Sequence, residues 1–190
     1  MAKLWGRLEL CQRFRFCQPW VWTPLIFVVD FISKRLVLAN EMELRGQVQI
    51  IGDFLRFIYV RNSGSAMGLF PVGRSVLIGV SLLASVFIVY LYRTTEPHLR
   101  VRLGAMAAIL GGALGNLWDR IFYDGRVVDF IDVGLSGHRF YTFNVADIGV
   151  TVGGTILFLC ILLEGWQDKG EQDKSEPVAS ETEAEMDELP

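Results

Sequence analysis

Residues 75–92 form an eighteen-residue run without a single charge, and no other feature limits the possible folds of this chain as strongly. A helix rising about 1.5 Å per residue needs roughly that length to cross the hydrocarbon of a bilayer, where every backbone polar group must be satisfied within its own segment. Composition points the same way, with 52% apolar residues and a mean hydropathy of +0.36 across 190 residues, more than a water-soluble core of this length requires. The chain is expected to reside in a membrane.

Three further spans are expected around 75–92, each with polar interruptions: about 19–38, containing Asp30 and Lys34; about 103–118, rich in glycine and alanine; and about 144–163. The first is read as an uncleaved span, because no small-residue cleavage site follows it and Asp30 interrupts it. The formal net charge of −3 hides an asymmetry. Residues 167–190 hold nine acids and two lysines, leaving the first 166 residues with twelve acids and sixteen bases.

Lys3, Arg7, Arg13 and Arg15 precede the first span, and Arg93, Arg100 and Arg102 lie between the second and third. The positive-inside rule makes these segments and both termini cytoplasmic. The chain then divides into a basic N-terminus (1–18), a four-span membrane domain (19–166) and a disordered acidic tail (167–190). The fold class expected is a membrane all-α, four-transmembrane-helix bundle with a small extracytoplasmic β-rich interfacial segment. That segment has strand-like content at 47–51 and 54–60, followed by a tight turn over 62–68.

This topology gathers the conspicuous polar residues at one outer face: Asn62, Asn116, Arg120, Asp129, Asn144 and Asp147. Gly104, Ala108, Gly111 and Gly115 make a small-residue stripe on the third span, and Gly149 with Gly153 repeats the pattern on the fourth, allowing close helix approach. Asn116 and Arg120, four apart, share a helical face, and the guanidinium suits a carboxylate partner. Carboxylates beside spanning segments are costly and usually functional. Two that share a proton can take a proton from water and return one to a leaving group.

Plainer readings exist for each residue. Asn144-x-x-Asp147 resembles a helix capping box, Asp129 a solvated loop acid like Asp124 or Asp132, Asp30 with Lys34 a structural ion pair, and Asn116 with Arg120 interfacial anchors. Cys11, Cys17 and Cys160 are scattered thiols, and two histidines supply no metal cluster, so no cofactor is expected. Leu8-Glu9-Leu10-Cys11 is no lipidation site, since Glu9 and Leu10 occupy positions that need small residues.

In combination, the motifs resemble those of a known family. Asp30-x-x-x-Lys34, Asn62-x-Gly64-x-Ala66-x-Gly68, Gly111-Gly112-Ala113-Leu114-Gly115-Asn116-Leu117-Trp118-Asp119-Arg120, Val128-Asp129-Phe130-Ile131-Asp132 and Phe143-Asn144-Val145-Ala146-Asp147 resemble, in that order, the lipoprotein signal peptidases. These are aspartic membrane proteases also called signal peptidase II. Ser65 and Met67 depart from the pattern, where alanine and an aromatic are expected, and the acidic tail has no counterpart.

The resemblance implies a catalytic Asp129/Asp147 pair, with Asp30, Lys34, Asn62, Gly64, Asn116, Arg120, Asn144 and Ala146 supporting the site or binding substrate. It implies a bacterial inner-membrane endopeptidase with its site near the outer face. The substrate would be a prolipoprotein cut on the N-terminal side of its diacylglyceryl-modified cysteine. Expected partners are that substrate and membrane lipids, with no nucleic acid and a monomeric chain, and residues 50–67 would form a mobile flap over the scissile bond. The competing readings are a small proton-coupled transporter or channel subunit using Asp30, Asp129 and Asp147, and a non-catalytic assembly factor.

Overall fold

A computed structural model describes residues 18–64, 73–135 and 137–164. A 3-10 turn at Pro19–Val21, with proline where its missing N–H costs nothing, leads into α1 (Trp22–Ala39). The short α2 (Glu41–Leu44), β1 (Val48–Ile51) and β2 (Leu55–Asn62) follow. Then come α3 (Arg74–Thr94), α4 (Arg100–Phe122), β3 (Val127–Leu135), β4 (His138–Arg139) and α5 (Val145–Glu164). Cys11, Cys17, the turn beyond Gly64 and the acidic tail lie outside the described residues.

Among the described residues three helices, α3, α4 and α5, are long and apolar enough to cross a membrane. The eighteen residues of α1 include Asp30, Lys34 and Arg35, which lower its apolar character. α4 is the central helix and packs against both α1 and α3. Its glycine stripe faces α1: a Cβ at Gly111 would meet Thr23 O at 2.7 Å, and one at Gly115 would meet Asp30 Oδ2 at 2.5 Å. The close approach to α5 is made instead by Gly112, off the stripe, which sits beneath the Ala146 carbonyl, while Gly149 and Gly153 of α5 rest on the Ala108 and Ala105 carbonyls. Thr23 Oγ1 donates to Ala107 O at 2.9 Å across the α1–α4 contact.

The four strands form one antiparallel sheet in the order β1-β2-β3-β4. It lies where α1 and α4 end and α5 begins, over a core of Val37, Leu44, Val128 and Phe130. The two expected strands are present, yet β3 lies where loop was expected. Asp129 and Asp132 spoil its apolar pattern, but neither carboxylate meets solvent: Asp129 is buried, and Asp132 is held by Arg139 at 2.6 and 3.1 Å. The loop-acid reading of both is therefore corrected, whereas Asp124 is an exposed turn residue. Residues 55–62, expected to belong to a mobile flap, are a central strand paired with β3 from Leu55↔Val133 to Asn62↔Val127.

Candidate active site

Four elements each deliver one part of a polar cluster at the sheet end of the bundle. Asn144 precedes α5 and forms a reciprocal cap with it: Asp147 N–H donates to Asn144 Oδ1 at 3.0 Å, and Asn144 N–H donates to Asp147 Oδ2 at 3.2 Å. The capping reading of this pair therefore describes its geometry. The same Asn144 side chain, fully buried, donates through Nδ2 to Asp129 Oδ1 at 2.6 Å. One residue thus reaches both carboxylates, through its side-chain amide to Asp129 and its backbone N–H to Asp147.

Each carboxylate has a second amide donor. Asn62 lies on the face of β2 that also carries Val60, whose register partner is Asp129, so its Nδ2 reaches Asp129 Oδ2 diagonally at 2.9 Å. The Gly64 N–H donates to Asn62 Oδ1 at 2.8 Å, which turns the amide so that its nitrogen faces Asp129. Gly64 has φ of +79°, a backbone conformation that favours glycine. On the other carboxylate, Asn116 Nδ2 donates to Asp147 Oδ1 at 2.8 Å.

Behind this layer lies a buried ionic one. Lys34 Nζ, with none of the residue exposed, contacts Asp30 Oδ2 at 2.7 Å, Asp119 Oδ2 at 3.1 Å and Asn116 Oδ1 at 3.1 Å. Asp30 Oδ1 in turn accepts the Ala146 N–H at 2.8 Å, adjacent to Asp147, and Ala146 is itself fully buried. Asp30 and Lys34 therefore pair with each other and also hold the start of α5.

Arg120 stands apart. Its Nη1 lies 3.4 Å from Ser81 Oγ and its Nε is buried without a hydrogen bond; among the described residues no carboxylate lies within ion-pair distance of it. The expected carboxylate partner is replaced by a hydroxyl on α3. Asp119, part of the same motif but given no role from the sequence, lies three residues from Asn116 on the same side of the helix.

The electrostatics single out Asp129. Burial pushes the Asp129 carboxyl up from its ordinary 3.8 to about 6; the amide hydrogens of Asn62 and Asn144 pull it down, and the nearby Asp147 charge adds to the rise. Asp129 is 2% exposed, whereas Asp147 is partly open to solvent. A protonatable buried acid beside a more accessible one, both held by hydrogen bonds from Asn144, is an arrangement suited to acid/base work on a small nucleophile.

Helices long and apolar enough to cross a bilayer, with two carboxylates held by Asn144 at one end of them, are the features of a membrane protein. The family model described as Signal peptidase (SPase) II matches residues 23–163, and the chain belongs to this family of bacterial membrane proteases. A lipoprotein signal peptidase of Symbiobacterium thermophilum is 45% identical over 139 residues, covering 72% of this chain and 88% of that protein. One of Clostridium novyi is 38% identical, covering 73% and 93%. A solved bacterial membrane enzyme superposes with a TM-score of 0.69 at 26% identity, covering 76% of this chain and 87% of its own.

Proposed function

We propose that this chain is an intramembrane aspartic endopeptidase that removes signal peptides from diacylglyceryl-modified prolipoproteins, cutting N-terminal to the lipidated cysteine. The observation that carries the reading is Asn144, whose side chain and N–H reach Asp129 and Asp147 respectively, so that the two acids share a hydrogen-bonded frame. In the reactive form Asp129, whose carboxyl is pushed up to about 6, carries the proton, and Asp147 takes the proton of the attacking water.

The water oxygen bonds to the scissile carbonyl carbon as Asp147 removes its proton and Asp129 donates to the carbonyl oxygen. Collapse of the tetrahedral intermediate breaks the C–N bond. The proton on Asp147 passes to the leaving nitrogen, and Asp129 recovers its own from the carboxyl product. Arg120, with a buried and unbonded Nε, is the donor in reserve for the developing oxyanion or a substrate carbonyl.

Helix α1 serves as the fourth span. Its charged Asp30 and Lys34 turn inward, while Leu25, Val28, Val29, Ile32 and Leu36 face outward, so the surface offered to lipid is apolar despite the charges. Both termini are then cytoplasmic and the site lies near the outer face. The chain acts as a monomer, and the acidic tail takes no part in the chemistry.

The test is cleavage of a lipidated precursor by the purified protein and by Asp129→Asn and Asp147→Asn. Each variant is expected to lose activity by roughly 10³-fold or more, since each removes a proton-transfer partner. Near-normal cleavage by either variant refutes the dyad, and proton flux without cleavage favours the transporter reading.

A further inference from the structure

Asp119 has no role in the chemistry just described, yet it is among the most deeply buried acids of the chain, 1% exposed at the end of α4. Its Oδ2 is shared by Lys34 Nζ and the backbone N–H of Val128, each at 3.1 Å, and its Oδ1 faces Arg35 Nη2 at 3.6 Å. Val128 immediately precedes Asp129.

The Val128 N–H goes to Asp119, while the Phe130 and Ile131 N–H groups both reach Phe143 O, at 3.1 and 2.8 Å. Asp129 is thus clamped between two anchored amides. One anchor leads through Phe143 to Asn144 and α5; the other leads into α4, the helix whose Asn116 donates to Asp147. Lys34 closes the circuit by touching Asp119, Asn116 and Asp30 together.

We propose that Asp119 is a positioning residue for peptide hydrolysis, setting the place of Asp129 relative to Asp147 through the Val128 amide. The proposal rests on the peptidase reading above. The carboxylate is matched in charge as well as in geometry: Asp30 and Asp119 face Lys34 and Arg35, and the Arg35 guanidinium is held 5.0 Å from the Phe31 ring and 4.4 Å from the Tyr123 ring. Sites of this kind lose rate through their support when a reacting group drifts by a fraction of an ångström.

Steady-state cleavage of a lipidated precursor by the full chain in micelles tests this. Asp119→Ala, which leaves Val128 N–H without an acceptor, is expected to lower kcat by roughly 10- to 100-fold with KM nearly unchanged. Asp119→Asn retains an acceptor oxygen for Val128 and is expected to recover most of kcat, although its pairing with Lys34 is lost. Unchanged kcat in Asp119→Ala overturns the proposal, as does an Asp119→Asn protein as impaired as the alanine variant. Should Asp119→Ala fail to fold, Asp119→Asn decides by itself when combined with hydrogen exchange at Val128: kcat lost with the amide still protected overturns the proposal, as does kcat kept with the amide exposed, whereas kcat that follows the protection of that amide supports it. Failure of the wild-type chain to cleave at all, or full activity in Asp129→Asn, instead removes the peptidase reading underneath.

Discussion

Helices α1 and α3 have similar lengths and opposite logic. Within α3 only Ser85 is buried, and its hydroxyl returns to the helix through Ser81 O; Val76, Val80, Leu82, Leu83, Val86, Phe87 and Tyr90 face outward. In α1 the buried residues are Asp30, Lys34 and Val37, two of the three ionisable. The surroundings of α3 alone account for its sequence, since a lipid-facing helix needs only to be apolar and internally bonded. The sequence of α1 makes sense only with its partners present, because each buried charge answers a group on α4 or α5.

The comparison predicts very unequal responses to substitution. Lys34→Met leaves Asp30 and Asp119 without their shared cation, and removal of one member of a buried ionic cluster costs about 3–5 kcal/mol. Folded yield and thermal midpoint in micelles should fall sharply, whereas Leu83→Ala on the outward face of α3 should leave both nearly unchanged. Equal effects of the two would erase the distinction between the helices.

The next effect depends on pH. Asp129 holds its proton in the folded protein up to about 6 but releases it near 3.8 when unfolded. Between those values the folded state binds more protons, so this residue's favourable contribution is complete below about 3.8 and is lost as pH rises through about 6, an amount of no more than about 3 kcal/mol. Unfolding midpoints followed from pH 4 to 7 should fall more steeply for the native chain than for Asp129→Asn. Parallel curves would place Asp129 in a more open setting than its burial indicates.

Smaller still is the response to added methyl groups. Gly115→Ala drives a Cβ to 2.5 Å from Asp30 Oδ2 and should destabilise by about 1–3 kcal/mol, the usual cost of overpacking. Gly79→Ala, at a position of α3 with open space around it, should raise stability by about 0.5–1 kcal/mol through backbone entropy alone. Opposite signs at two helical glycines, read by thermal unfolding, would sharpen the contrast between the packed and the lipid-facing regions.

The helices were legible in the sequence to within a few residues, because hydrophobic length is a local property: 75–92 became Arg74–Thr94, and 144–163 became Val145–Glu164. Strand β3 was not legible. Its acids at 129 and 132 read as loop until Asn62, Asn144 and Arg139, all distant or across a turn, supplied their hydrogen bonds. The glycine stripe was visible but its target was not, since the spacing along α4 does not say which neighbour the stripe meets. Asp119 stands within the Gly111–Arg120 motif, but its role is not legible there, since that role lies in the Val128 amide that β3 brings to it.

Sequence by itself determined that this chain contains membrane-length apolar helices and carries the motif series of the signal peptidase II family, since both are properties of order and spacing along one chain. Only the tertiary structure decided which residues those motifs bring into contact: Asn144 onto both Asp129 and Asp147, Lys34 between Asp30 and Asp119, and Arg120 onto Ser81. The physical reason is that a buried charge or amide is tolerable only with its partner in place, and those partners come from helices and strands far apart in the chain.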